Sequence, residues 1–251
     1  MHILCWQRDL RRQKNELESI PRKYVVASSG TSHERHSKTL GRIVLSWYYL
    51  AIGDYSELSK SVFRNSELSE MTVYPILLVI PELLYYLDTG QNDNFRLTLN
   101  EASKIILGIP QSATRILPKV FIDYMASEAY VRIGQFENAK KYIEELKNMA
   151  SSINERWMSA CSGRIEAVVA INDNKFGEAE DKLKESITIW TELGIRFFAG
   201  RDLLLLATVY HDSGNLGNAD ECLNRAMQLF SQIGATMYAQ KVLSRKELLK
   251  A

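Results

Sequence analysis

Residue types that could do chemistry are present in this chain, but their spacing does not serve it. His33-Glu34-Arg35-His36 sets two imidazoles three apart, which one helix face could share. The HExxH spacing is absent, however, and no third ligand is near, so the stretch reads as a solvated loop. Cys5, Cys161 and Cys222 are odd in number, far apart and form no CxxC pair, which suits a reducing compartment rather than a disulfide framework. Gly30 and Gly41 lack the GxxxxGK spacing of a phosphate loop, and neither a GxSxG elbow nor an arranged Cys/His pair occurs. Glu178, Glu180 and Asp181 read as a wet helix face, and His211 as a complement to a helix C-terminal dipole. The expectation is a non-enzyme with no catalytic, cofactor-binding or metal-binding residues.

Charge balance narrows the partner classes. Lys plus Arg number 31 against 30 for Asp plus Glu, a net charge of +1. That provides no broad field for nucleic acid or an anionic membrane surface. Residues 1–38 carry eight Lys/Arg against four Asp/Glu, but interspersed, as on a solvated helix face. Met1–Leu10 has no apolar core of a signal peptide. The run Val73–Leu87 falls short of the ~18–20 residues that span a bilayer. It contains Pro75, Pro81 and Glu82 and reads as a buried helix. A cytoplasmic protein without nucleic-acid or membrane partners is expected.

The elements that position any site are helices. Met1–Ser19 carries Ile3, Trp6, Leu10 and Leu17 at helical spacing, Pro21 stops it, and residues 27–37 form a polar linker. Thr39–Ile52 ends at Gly53, after which Asp54 caps a second helix with Glu57 three residues on. Thr72–Thr89 should enter its helix at Pro75 and kink at Pro81, and Gly90 leads to a return helix over Asp93–Leu107. Gly108–Pro118 breaks the rhythm. Three divisions follow: an N-terminal helix and linker (1–36), degenerate helix pairs (37–117), and a regular array with a C-terminal capping helix (118–251).

Within the regular array a single pattern returns every 40 residues. Turn formers stand at Gly134, Asn174 and Gly214, apolar residues at Phe136, Phe176 and Leu216, and Ala at 139, 179 and 219. A fixed period of this size marks stacked supersecondary units. The second helices carry apolar stripes spaced 3, 4, 3, 4, 3, such as Phe176, Ala179, Leu183, Ser186, Trp190 and Leu193. The first helices (118–133, 155–173, 195–213) are apolar on more than one side, as an inner layer requires. Asn154, Gly194 and Gly234 stop the second helices, and Trp157, Phe197 and Met237 follow to pack between units.

These residues resemble the tetratricopeptide repeat. Its small position falls on Ser127, Ala167 and Ala207, its Tyr on Tyr130 and Tyr210, and its post-turn aromatic on Phe136 and Phe176. Ser46, Tyr49, Gly53 and Tyr55 fit a first pair, while Tyr86 and Gly90 are what the second pair keeps. The unit is longer than the family's, and is similar to the helical-repeat arms of prokaryotic signalling ATPases, transcriptional activators and nucleotide cyclases. The resemblance implies an all-α, right-handed superhelical solenoid of about five antiparallel helix pairs with end helices. It implies a non-enzymatic scaffold holding a protein or peptide in its groove. The alternative is a regulatory or ligand-sensing arm fused to, or associated with, a signalling effector domain; an enzyme with an unrecognised site is a third reading. The family's concave positions fall on Trp47, Phe121, Tyr124, Glu128, Arg132, Arg164, Asn172, Arg201, Thr208 and His211, among others. Val168 after Arg164, with Glu128 at the corresponding place one unit earlier, argues against the subtype that clamps a C-terminal carboxylate.

Overall fold

A computed structural model describes residues 43, 45–61, 76–108, 113–153 and 155–248. Among them every regular element is α-helical. The expected N-terminal helix and linker, His33, His36, Cys5, Pro75 and Asn154 lie outside the described residues. The helices are α1 (45–52), α2 (Tyr55–Ser61), α3 (Ile76–Thr89), α4 (Asn92–Gly108) and α5 (Ala113–Arg132). They continue with α6 (Phe136–Ile153), α7 (Arg156–Asn172), α8 (Phe176–Glu192), α9 (Arg196–Asp212), α10 (Leu216–Ile233) and α11 (Thr236–Leu248). The described residues divide into two compact units, one within residues 11–125 and one within residues 126–251.

One turn chemistry is used throughout. At Gly53, Gly90, Gly134, Asn174, Gly194, Gly214 and Gly234 the backbone is left-handed, with φ between 57° and 82°. At each, that residue's N–H bonds the carbonyl three residues back and the next N–H bonds the carbonyl five before it, as in Gly214 to His211 and Asn215 to Tyr210. This closes a helix by satisfying carbonyls that otherwise lack partners. The repeated Tyr four before the turn is the residue whose carbonyl accepts that last bond at Tyr49, Tyr86, Tyr130 and Tyr210. Asn174 manages the left-handed conformation without being glycine, because its short polar side chain lowers the cost. Asp54 caps α2 by accepting from the Glu57 N–H at 3.1 Å; the Glu57 carboxylate itself pairs with Lys60 at 2.5 Å.

In unit 11–125, α3 packs on α4 and α2 on α3. Their apolar faces bury Leu58, Val79, Ile80, Leu83, Leu84, Phe95, Ala102 and Ile106. Pro81 does lie inside α3. The helix expected from 118 begins instead at Ala113, so Pro118 is its sixth residue. There the proline removes one backbone bond near the helix start, and the helix runs on to Arg132.

In unit 126–251 the layers alternate. The second helices α6, α8 and α10 bury their stripes: Ala139, Ile143, Leu146; Ala179, Leu183, Trp190; Ala219, Leu223, Phe230. The first helices α7 and α9 are buried on several sides, as layers flanked on both sides must be. Residues after the stops at Gly194 and Gly234 join an aromatic seam: Phe198 stacks on Trp190 of the preceding helix at 5.0 Å between ring centres, and Phe197 meets Tyr238 edge-on at 4.8 Å. Gly200 lets Phe230 approach so closely that a Cβ there would lie 2.7 Å from the ring. The Ala positions at 139, 179 and 219 are fully buried, as close helix approach demands.

Candidate interaction site

Within unit 126–251, four ionisable side chains meet where inner helices would ordinarily place apolar residues. Arg164 on α7 stands between two carboxylates from neighbouring inner helices. Its Nε donates to Glu128 Oε1 on α5 at 2.6 Å, and its Nη1 donates to Asp202 Oδ1 on α9 at 2.6 Å. Arg201 Nη2 on α9 reaches back to both Glu128 oxygens at 3.3 and 3.2 Å. Arg132 adds a looser ion pair to Glu128 at 3.6 Å. Three successive inner helices are thus tied through one guanidinium.

The centre of the site is buried. Asp202 is fully buried and the Arg164 side chain is 12% exposed. Two carboxylates offset two guanidiniums in a place where an unpaired charge would be very costly. Asp202's other oxygen accepts from Ser186 Oγ at 2.5 Å and from Trp190 Nε1 at 3.0 Å, both on α8. Burial alone would raise Glu128, but Arg201, Arg164 and Arg132 together hold its carboxyl well below the usual range. Asp202 goes the other way: burial outweighs Arg164 and the hydrogen bonds and raises it. Cys161 lies beside the cluster, and burial with the two carboxylates pushes its thiol far up, so it is a neutral core residue and no nucleophile. Burial pushes Cys222 up to about 11.

A second tie holds the other side of α7. Glu166 accepts from Lys147 on α6 at 2.8 Å and pairs with Lys182 on α8 at 2.7 Å. Burial would raise Glu166, yet the two lysines hold it below the ordinary carboxylate range.

The ten residues expected on the inner face divide by exposure. Asn172 and His211 are exposed, Arg132 is partly so, and Thr208 is half-buried and accepts from Arg245 Nη2 on α11 at 3.0 Å. Glu128 and Arg201 are buried within the cluster, and Arg164 lies at its edge. In unit 11–125, Trp47 is half-buried while Phe121 and Tyr124 are core residues, 3% and 1% exposed. Asp202, Ser186 and Trp190 complete the cluster and were not among the expected site residues. Clefts open among the described residues of unit 126–251. A shallow one of about 340 Å³ runs along α11 beside Lys241 and Arg245. Another of about 460 Å³ lies among α8, α9 and α10, lined by Lys184, Tyr210, Asn218 and Arg225 among others. Among the described residues no group of His, Cys, Asp and Glu gathers as a metal site, and no helix is long and apolar enough to cross a membrane.

Antiparallel helices of 17 or 18 residues, paired across left-handed turns and stacked by an inner layer, define an all-α helical repeat protein. The sequence profile of the tetratricopeptide repeat matches residues 124–152 and 203–232. Among solved structures, BtubC (BKLC) from P. vanneervenii is similar at 16% identity and a TM-score of 0.55. The likeness covers 90% of this chain and 92% of that one, and concerns the fold alone. No curated protein matches the sequence. Repeats of this kind generally mediate protein–protein interaction or scaffolding.

Proposed function

We propose that the chain is a non-enzymatic scaffold that binds a protein or peptide partner along the inner helices of unit 126–251. The observation that carries this reading is the tie from Glu128 through Arg164 to Asp202, which fixes the spacing of α5, α7 and α9. A surface held rigid before binding loses little conformational freedom on binding, so more of the contact energy appears as affinity. Asn172, Thr208, His211 and Arg132 are the contact residues, while Glu128, Arg164 and Arg201 set the distances between helices. Trp47 is the half-buried candidate contact in unit 11–125, and Phe121 and Tyr124 support its core.

Photo-crosslinking tests this directly. A benzophenone side chain at Asn172 or His211 should capture a discrete partner, whereas one at Glu185 or Ser231, exposed on α8 and α10, should not. Equal capture from both pairs of positions would remove the inner face as the contact surface. A second reading, a ligand-sensing arm, draws on the cleft among α8, α9 and α10, whose mixed lining of Lys184, Arg225, Asn218 and Ile187 suits a small polar molecule. It predicts that a small molecule bound there raises the melting temperature, and that Arg225→Ala abolishes that rise.

A further inference from the structure

The buried cluster contains a hydroxyl placed between two acceptors. Ser186 Oγ lies 2.5 Å from Asp202 Oδ2 and 3.0 Å from the backbone carbonyl of Ala160 on α7. A hydroxyl has one proton to donate and can also accept. With Asp202 ionised, Ser186 donates to Oδ2. With Asp202 neutral, Oδ2–H donates to Ser186 Oγ, and the Ser186 O–H turns to the Ala160 carbonyl. Both states leave every polar atom of this relay satisfied, which a buried carboxyl with fixed donors all round would not allow. We propose that Asp202 is a proton-binding site at the junction of α7, α8 and α9, and that its protonation loosens the tie between consecutive inner helices.

The groups facing Asp202 are mixed in sign. Arg164 and the neutral thiol of Cys161 face it from α7, Glu128 bears on the same cluster from α5, and Arg201 lies beside it on α9. From α8 it meets the neutral donors Ser186 and Trp190. Full burial favours the uncharged carboxyl, and Arg164 opposes that. On protonation, a solvent proton enters past the partly exposed guanidinium and binds Oδ2. Arg164 then exchanges an ion pair with α9 for a hydrogen bond to a neutral carbonyl oxygen, while keeping its ion pair with Glu128. The inference goes beyond the scaffold reading, because it assigns a control to the spacing that reading treats as fixed, and it stands whether or not a partner binds.

Trp190 supplies the reporter, since its indole N–H donates to the oxygen that takes the proton. In the full chain, the Trp190 indole resonance is followed by proton–nitrogen NMR as the pH is lowered from about 8 to about 4. The expected result is a titration step in the folded protein whose midpoint lies above that of an unshifted aspartate, about 3.9, and which is absent from Asp202→Asn. A resonance that stays flat in the parent over this range, or the same step persisting in Asp202→Asn, would overturn the proposal. Should Asp202→Asn fail to fold, the urea midpoint of the parent decides. Folded Asp202 binds its proton more tightly than unfolded Asp202, so the midpoint should rise on acidification across the step. A midpoint that falls across it would overturn the proposal.

Discussion

Glu128 is the residue on which the inner layer leans most heavily, because three guanidiniums converge on its carboxylate. Glu128→Gln leaves Arg164 and Arg201 buried against a neutral amide, and breaking a buried pair in this way costs about 3–5 kcal/mol. Arg132→Ala, at the rim with its side chain 36% exposed, should cost less than about 1 kcal/mol. Urea unfolding of the two variants checks the contrast. The pH dependence follows from the same carboxylate. Its folded value is depressed, so the stability it contributes is complete above the unfolded value of about 4.3 and drains away as pH falls through the folded one. Urea midpoints of the parent should therefore drop steeply below about pH 4, and that steep limb should be missing in Glu128→Gln. The cluster left a trace in the sequence. The 40-residue register sets Glu128 against Val168 and Thr208, and Arg164 against Tyr124 and Leu204. Likewise Arg201 stands against Phe121 and Cys161, and Asp202 against Ile122 and Ser162. Four charges, two of each sign, thus occupy positions where other units are mostly apolar. What the register could not reveal is that they meet. Their contacts span 36 to 73 residues and depend on how the inner helices stack.

At the scale of the helix, the left-handed turns and the close approaches carry the architecture. At Gly214 an added Cβ would meet nothing within 4 Å, so Gly214→Ala should cost only the backbone strain, about 1–2 kcal/mol. Gly200→Ala adds a clash with the Phe230 ring deep in the seam and should cost about 1–3 kcal/mol through overpacking, despite alanine's better helix propensity. Thermal melts of both variants test the pair, and Gly200→Ala should also broaden the aromatic resonances of Phe230. The stops, the stripes and the pairing were readable from the sequence because each depends on residues within one turn of each other. The start of α5 was not, since Gly108–Pro118 carries only local breakers, and helix continuation through Pro118 is decided by the turns that follow it. Gly200 was likewise silent: a glycine inside a helix weakens it, and only Phe230, 30 residues on, gives the reason for keeping it.

At the scale of the whole chain, repetition and its interruption divide the work. Similar turns recur in both units, and the charged tie lies in unit 126–251, bridging α5, α7 and α9. Stability in a stacked array is roughly a sum of units and nearest-neighbour interfaces. Arg164 adds to this a term that links three inner helices at once, and that makes the inner face one surface instead of a series of hinges. The measurement that tests this most directly is a double-mutant cycle on unfolding free energy between Glu128→Gln and Asp202→Asn. These two carboxylates sit on α5 and α9 and share the Arg164 guanidinium. If Arg164 ties the three helices together, their effects should fail to add by about 0.5–3 kcal/mol. Effects that add within about 0.3–0.5 kcal/mol would mean that the two carboxylates act independently, and that no common brace spans the inner layer.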